Sequence, residues 1–314
     1  MRLVFMGTPQ FAVPSLERLL SSSHEVAVVV TVPDRQIGRG LKVRCSPVKE
    51  CAIAAGIPIL QPEDLLTQEF AATLRAFEAD LFVVVAFRVL PPEVFEMPPR
   101  GTINLHSSLL PKYRGAAPIN WAIINGEKET GVSTIFIQKS VDTGDLIFQR
   151  KVAIGNDETV GELHDRLADI GAEVLLDTVE AIDAGSAPRR RQTGETAKAP
   201  KISRELGLIN WAKSNEEIRN LIRGLSPSPG AYSFLSGKLI KLYKAAAAAA
   251  TSDAHKGFEP GQITAAAKEG YLQVATGDGL LELHELQPEN KRRMSVKDFL
   301  LGHRVQVGDK FEQP

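Results

Sequence analysis

The first half of the chain repeats a pattern in which a short run of branched apolar residues precedes a helix-like segment. The apolar runs are RLVFM (2–6), VAVVVTV (26–32), IPIL (57–60), LFVVVA (81–86), TINL (102–105) and STIFI (133–137). Strands that are apolar along their whole length and alternate with helices are typical of a parallel sheet covered on both faces. The pattern therefore predicts an α/β domain with a mostly parallel sheet.

Length and a change of composition indicate two domains. A chain of 314 residues is long for a single hydrophobic core. An amphipathic pattern over 158–183 predicts one long helix, and the stretch AGSAPRRRQTGETAKAPKISRE that follows has few large apolar residues. We predict a Rossmann-like sheet domain at 1–184, an exposed basic linker at 185–204 and a second domain at 205–314.

The second domain carries short strand-like runs. In YLQVATGDGLLELHEL (271–286) two alternating runs are joined by a Gly-Asp-Gly turn, which is typical of a β-hairpin. A helix pattern precedes these runs at 215–225, and the run of alanines at 245–250 is predicted to be a flexible loop. Several short strands in roughly 100 residues predict a small β-barrel of the oligonucleotide-binding (OB-like) type.

Composition restricts the class of protein. With 43% hydrophobic and 24% charged residues, the chain has no apolar run near the ~20 residues that span a bilayer. The start of the chain lacks the long apolar region of a signal peptide, so we expect a cytoplasmic protein. Separately, we expect the protein to be a monomer. Cys45 and Cys51 do not have a zinc-site spacing, and no metal is predicted. A net charge of −1 argues against general binding to nucleic acid, although a local basic site is compatible with it.

Two polar side chains interrupt the apolar run at the start of INLHSSLLPKYRGAAP (103–118). Alternate strand residues share a face, so Asn104 and His106 point to one side and Ile103 and Leu105 to the other. In parallel sheets ligands bind at the carboxyl ends of the strands. Amide and imidazole N–H groups at such an end can donate to an oxygen that becomes negative during acyl transfer. Spacing alone leaves open whether the pair only caps the loop.

A carboxylate follows in the turn SVDTGDLI (140–147). Asp142 or Asp145 could reach the same end of the sheet, orient the imidazole and support general acid or base catalysis. The alternative is a turn without a chemical role. Because no Ser or Cys lies in an evident nucleophile elbow, direct transfer to an incoming nucleophile is favoured over a covalent acyl-enzyme.

Three segments together resemble the folate-dependent formyltransferase family, nearly end to end, and within it the enzymes that act on methionyl-tRNA. They are VPDRQIGRG (32–40), INLHSSLLPKYRGAAPINWAI (103–123) and VDTGD (141–145). The resemblance implies that Asn104, His106 and Asp142 are the catalytic residues. It also implies that 10-formyltetrahydrofolate is the formyl donor and that the α-amine of methionine on initiator tRNA is the acceptor.

The resemblance further implies a folate-binding segment and a pocket beside the strand at 81–86. The residues that it assigns to folate are Phe87, Val89, Leu90, Ser108, Leu109, Leu110 and Pro111. Relatives more often have an aromatic residue followed by Gly where this chain has Phe87-Arg88, so the shape of the pocket is expected to differ here.

Basic residues cluster in three segments that could hold an RNA acceptor, namely 33–49, the linker at 189–204 and 291–293. Residues 33–49 contain five basic residues against one acidic residue, with glycines at 38 and 40, and a flexible basic loop could contact the phosphates of an acceptor stem. A solvated charged face is the alternative. The predicted tRNA-binding residues are Arg35, Arg39, Lys42, Arg44, Arg189, Arg190 and Arg191.

Three functions fit these observations: a methionyl-tRNA formyltransferase, a formyltransferase for a sugar nucleotide or glycinamide ribonucleotide, and an RNA-binding protein with a vestigial enzyme domain. By resemblance, the glycinamide ribonucleotide enzyme needs only the first domain, whereas sugar-nucleotide enzymes can carry a second one. The presence of Asn104, His106 and Asp142 together argues against the vestigial domain.

Overall fold

The computed structural model describes residues 1–37, 42–248 and 257–312, and the chain packs as two compact units. The first unit consists of Met1–Pro118, Thr130–Ala153 and His164–Ala199. The second unit consists of Ile119–Glu129, Ile154–Leu163 and Pro200–Pro314. The domain boundaries drawn from the sequence at 1–184, 185–204 and 205–314 stay a prediction.

The elements up to residue 199 alternate largely as expected. In chain order they are β1 Arg2–Gly7, α1 Val13–Leu20, β2 Glu25–Val30, β3 Arg35–Ile37, β4 Lys42–Arg44, α2 Pro47–Ala54, β5 Ile59–Leu60, α3 Gln68–Arg75, β6 Leu81–Val85, α4 Pro92–Phe95, β7 Thr102–His106, β8 Arg114–Gly115, α5 Pro118–Ile124, β9 Glu129–Phe136, β10 Leu146–Ala153, α6 Val160–Asp183 and β11 Lys198–Ala199.

One seven-stranded sheet forms the first unit, in the order β10-β9-β7-β6-β1-β2-β5. The strands β5, β2, β1, β6 and β7 are parallel, and β9 is antiparallel to β7. This confirms the mostly parallel α/β sheet. The registers Gly7↔Val85 and Val85↔Leu105 place the carboxyl ends of three strands at one edge, which is where ligands of such sheets bind.

The apolar face of β7 determines where its polar face points. Ile103 and Leu105 are fully or almost fully buried. Leu105 meets α6 at Gly171, where a Cβ atom would lie 2.8 Å from the Leu105 side chain. Burying a side chain of this size contributes roughly 1.5–3 kcal/mol, which is enough to fix the orientation of the strand. Asn104 and His106 therefore face the other side, as the period of two predicts.

Helix α6 is the longest helix, with 24 residues. It is also joined to β9 inside the core, where the hydroxyl groups of Thr134 and Thr178 lie 2.8 Å apart and both residues are fully buried. Among the helices that the structure describes, none is both long enough and apolar enough to cross a membrane.

The part of the second unit after residue 199 is built from an α-helix, a curled sheet and a second α-helix. From residue 200 onwards the elements are α7 Asn215–Gly224, β12 Ala231–Leu235, β13 Lys238–Ala247, β14 Ile263–Ala267, β15 Tyr271–Ala275, β16 Leu280–Pro288, β17 Met294–Ser295, α8 Val296–Gly302 and β18 Phe311–Glu312. Helix α7 begins with a capping box between Ser214 and Glu217, which explains why it starts where the sequence pattern places it.

The strands of this unit form the predicted small barrel. Their order is β14-β15-β16-β13-β12-β18, and each pair for which a register is defined is antiparallel. The hairpin β15–β16 pairs Gln273 with Glu282, as the Gly-Asp-Gly turn predicts. Backbone hydrogen bonds from Ile263 to Asp309 and from Phe311 to Gly261 join the two outer edges of the sheet.

The run of alanines is only partly a loop. Strand β13 continues through Ala247, because Ala245–Ala247 pair with residues 281–283 of β16 and Ala245 is buried in the core. The prediction of a flexible loop is wrong for these three residues. Positions 249 and 250 lie outside the described residues.

Candidate active site

The imidazole of His106 lies at the carboxyl end of β7 and is only 6% exposed. Its Nε2 atom is 3.0 Å from the carbonyl oxygen of Tyr113. A carbonyl can only accept a hydrogen bond, so Nε2 carries the hydrogen and donates it. The Nδ1 atom is 3.6 Å from Oδ1 of Asp142, and a proton on Nδ1 would complete an ion pair with this carboxylate.

Asn104 shares the face of β7 with His106 and is half-buried. Its carboxamide makes no hydrogen bond to any residue that the structure describes. An amide that is preorganised at a strand end without a protein partner can donate to a bound substrate. Asn104 and His106 therefore lie on the same face of β7, as the period of two predicts. His106 has protein partners there, whereas the carboxamide of Asn104 has none among the described residues.

Asp142 is held in place by backbone as well as by its position in the turn. Its φ of 54° lies in the left-handed region, which is disfavoured for residues other than glycine. Its Oδ2 atom accepts a hydrogen bond from the N–H of Gly115 at 3.0 Å, and its side chain is 10% exposed. A Cβ atom at Gly115 would lie 2.5 Å from the carbonyl oxygen of Ala199, so only glycine allows this approach.

The sequence left open whether Asp142 or Asp145 reaches the imidazole. In the structure Asp142 lies beside His106. Asp145 follows at the end of the turn, where its backbone carbonyl accepts a hydrogen bond from the N–H of Phe136. Asp142 is therefore the carboxylate that can act together with the imidazole.

The loop after β7 is braced by two side chains that the sequence analysis did not identify. Ser133 donates to the carbonyl of Ser108 at 2.6 Å and accepts from the N–H of Leu110 at 3.1 Å. Gln149 donates to Ser133 Oγ at 2.8 Å and to the carbonyl of Leu110 at 2.9 Å. A polar residue inside the apolar run STIFI is the signal that could have revealed Ser133, because buried hydroxyl groups are nearly always hydrogen-bonded.

The four residues of the predicted folate-binding segment are mainly internal. Ser108, Leu110 and Pro111 are buried, and the hydroxyl of Ser108 donates to the carbonyl of Lys112. Leu109 is partly exposed. Side-chain contacts of this segment with a ligand are thus restricted mainly to Leu109, and other contacts would involve the backbone.

The segment after β6 contains the other three residues assigned to folate. Phe87 is half-buried, Leu90 is 6% exposed and Val89 is 72% exposed. Arg88 donates to the carbonyl groups of residues 62 and 63 at 2.7 and 2.8 Å, and its guanidinium lies 5.2 Å from the ring centroid of Phe87. Burial lowers the pKa of Arg88. The residue that departs from the family pattern therefore ties this segment to a neighbouring loop.

The basic segment 33–49 is anchored at both ends. Lys49 contacts Asp34 and Gln61, each at 2.6 Å, and its hydrogen bond lowers the pKa of the Asp34 carboxyl. Arg35 is exposed, and Lys42 and Arg44 belong to β4, which pairs with β3. Part of the predicted flexible loop is therefore a hairpin. Arg39 lies outside the described residues.

The three consecutive arginines after α6 are not equivalent. The guanidinium of Arg189 stacks 3.8 Å from the ring centroid of Phe136. Arg190 pairs through its backbone with Leu146 and donates to the carbonyl of Ile147 at 3.1 Å. Arg191 is exposed. This part of the predicted linker is attached to the sheet unit.

Comparison with known proteins supports a specific class. Residues 1–179 match the formyl transferase family, and residues 201–304 match the formyl transferase C-terminal domain. The methionyl-tRNA formyltransferase of Caldanaerobacter subterraneus subsp. tengcongensis is 46% identical over 311 residues, which are 98% of this chain and 99% of that protein. The methionyl-tRNA formyltransferase of Acetivibrio thermocellus shows the same identity and coverage.

A solved structure shares the fold. HypX from Aquifex aeolicus in complex with tetrahydrofolic acid superposes with a TM-score of 0.66 at 18% identity. The match covers 98% of this chain and 50% of HypX, so the chain spans about half the length of that protein. The polar strand end and the two matched domains define a formyl transferase. By its identity to full-length relatives, the chain belongs to the methionyl-tRNA formyltransferase family.

Substitution of Ser133 tests the bracing of the loop after β7. Ser133→Ala leaves the buried N–H of Leu110 and the carbonyl of Ser108 without this partner, so we expect the free energy of unfolding to fall by about 1–3 kcal/mol. Urea denaturation measures the change. Ser140→Ala, at an exposed position, is the control, and equal stability of the two variants would contradict the assignment.

Proposed function

We propose that this protein transfers the formyl group of 10-formyltetrahydrofolate to the α-amino group of methionyl initiator tRNA, and that the product serves translation initiation. The observation that carries the proposal is the 46% identity to methionyl-tRNA formyltransferases over almost the whole of both chains. The arrangement of Asn104, His106 and Asp142 at the carboxyl edge of the sheet supports the chemistry.

Asn104 is proposed to stabilise the oxyanion of the tetrahedral intermediate. Its carboxamide has no hydrogen-bond partner among the described residues, so it can donate to the formyl oxygen as negative charge develops there. The sequence alone suggested the same role for His106. A neutral imidazole has one N–H group, and His106 donates it to the carbonyl of Tyr113, so the proposal assigns His106 to proton transfer instead.

His106 and Asp142 are proposed to move the proton. The amine attacks the formyl carbon and forms a C–N bond, after which it must lose a proton. The unprotonated Nδ1 atom of His106 can accept this proton because the carboxylate of Asp142, 3.6 Å away, stabilises the resulting imidazolium. The same proton then passes to the departing N10 atom of the folate as its bond to the formyl carbon breaks.

The folate site is proposed to lie at the same edge of the sheet. Phe87 and Val89 offer an apolar surface beside β6, where Leu90 is buried, and Leu109 is partly exposed next to the polar strand end. Such a combination of apolar side chains and a few polar groups suits a pterin ring. The formyl donor would then be held within reach of the Asn104 carboxamide.

The acceptor is proposed to be held by the exposed basic residues. Arg35 and Arg191 are exposed, and stacking on Phe136 holds Arg189 in a fixed position from which its N–H groups can reach a phosphate. The sequence analysis adds four further residues to the proposed tRNA-binding set: Arg39, Lys42, Arg44 and Arg190. A sugar nucleotide or glycinamide ribonucleotide is not favoured as the acceptor, because relatives of nearly equal length are methionyl-tRNA formyltransferases.

An assay with two tRNA species tests the acceptor. The protein is mixed with 10-formyltetrahydrofolate and methionyl initiator tRNA, and formylmethionine is measured after hydrolysis of the ester. We expect formylation of the initiator species and a much slower reaction with elongator methionyl-tRNA. No product with the initiator species, together with formylation of a sugar-nucleotide amine, would refute the proposal.

Substitution of His106 tests the chemistry in the same assay. His106→Ala removes the proton acceptor, so we expect kcat to fall by roughly 10²- to 10⁴-fold while the Kd for the folate stays close to that of the wild type. His284→Ala, at a half-exposed position of the second unit, is the control. Turnover by His106→Ala at the rate of this control would exclude the assigned role.

A further inference from the structure

The side chain of Gln192, in the segment between α6 and β11, contacts the turn that carries Asp142. Its Nε2 group donates to the carbonyl of Asp142 and to the carbonyl of Gly144, each at 2.8 Å. Its Oε1 atom accepts from Arg114, at 2.6 Å from Nη2 and 3.2 Å from Nε. A carboxamide has two N–H donors and one acceptor oxygen, and all of them are used here.

These contacts close a ring around Asp142. Arg114 immediately precedes Gly115, whose N–H donates to Oδ2 of Asp142. Gln192 therefore holds the backbone of the turn with one end of its amide and the neighbour of Gly115 with the other end. A single side chain therefore ties the turn that carries Asp142 to the segment whose backbone N–H binds the Asp142 carboxylate.

The conformation of the turn explains why it needs such support. Asp142 has a φ of 54°, and a residue other than glycine persists in this region only when its surroundings hold it there. A turn that relaxed would carry the carboxylate away from Nδ1 of His106. The distance of 3.6 Å between these two groups leaves little room before their coupling is lost.

Backbone pairing on both sides of Gln192 holds its segment in place. The N–H of Arg114 donates to the carbonyl of residue 197, and β8 pairs with β11 in parallel. On the other side, Arg190 pairs with Leu146. Gln192 thus lies in the chain between two paired positions, Arg190 and the strand β11, and it is half-buried.

We propose that Gln192 is a positioning residue that acts on formyl transfer through Asp142. This inference rests on the proposed function for its kinetic readout. It extends the active site to a segment that follows the long helix α6, more than 45 residues after the turn that it supports. Other side chains cannot replace it fully: glutamate lacks the two donors, and alanine lacks every contact.

Kinetics of three variants test the proposal. We expect Gln192→Ala to lower kcat by roughly 10- to 100-fold while the KM for tRNA and the Kd for folate change by less than about twofold, because the turn shifts and the binding surfaces do not. Gln192→Glu keeps an acceptor for Arg114 but loses the donors to the turn, and we expect it to lose at least as much activity. Thr193→Ala, at the exposed neighbouring position, is the matched control.

A double variant separates positioning from a general effect on the fold. If Gln192 acts through Asp142, adding Gln192→Ala to Asp142→Asn lowers the residual kcat by less than about twofold. An equal fold-loss on both backgrounds would overturn the proposal, as would wild-type kcat in Gln192→Ala.

Hydrogen exchange gives a readout that does not depend on the acceptor. The N–H of Gly115 is protected by Asp142, so we expect its exchange in Gln192→Ala to be at least roughly tenfold faster than in Thr193→Ala. Unchanged protection of Gly115 would overturn the positioning role. Because this measurement needs no catalysis, failure of the inference and failure of the proposed function can be told apart.

Discussion

The arrangement at the carboxyl end of β7 depends on one buried imidazole that lies between a backbone carbonyl and a carboxylate. The carbonyl of Tyr113 accepts a hydrogen bond from His106 Nε2–H, and this bond fixes both the orientation of the ring and its tautomer. The Nδ1 atom is then directed at Asp142. Tyr113 is in place because the loop that leads to it is braced by Ser133 and Gln149, so the orientation of the ring depends on residues from two further strands.

Magnitudes explain how the turn at Asp142 remains in a disfavoured conformation. A non-glycine residue in the left-handed region costs of order 1–3 kcal/mol. A hydrogen bond to a charged group contributes about 1.5–3 kcal/mol, and one between neutral groups contributes about 1 kcal/mol. The bond from Gly115 to the carboxylate and the two bonds from Gln192 to the turn carbonyls are therefore sufficient to offset the strain. The strained turn and its supporting contacts bring the carboxylate to the imidazole.

The sequence predicted the elements that follow from side-chain periodicity. The parallel strands, the long helix after residue 158, the hairpin at Gly277–Gly279 and the shared face of Asn104 and His106 all follow from apolar spacing and turn residues. Asp142 was one of two candidates, because spacing does not show how a turn folds back. The family match 1–179 and 201–304 agrees with the two kinds of domain that the composition indicated.

The remaining features depend on contacts that carry no pattern along the chain. A backbone carbonyl such as that of Tyr113 can belong to any residue type, so it gives no signal. Gln192 lies in a polar, exposed segment that resembles a linker, and its role appears only when the turn at Asp142 is folded against it. Residues 35–37 pair with residues 42–44, although the basic charge of the segment 33–49 and its glycines at 38 and 40 suggested a flexible loop.

The tautomer of His106 tests this account most directly. Nitrogen-15 NMR of protein labelled in its histidines, with His106 assigned by comparison with His106→Gln, distinguishes a protonated from an unprotonated ring nitrogen. The hydrogen bond to Tyr113 predicts that neutral His106 carries its hydrogen on Nε2 and leaves Nδ1 unprotonated toward Asp142. A neutral ring with its hydrogen on Nδ1 would contradict the account.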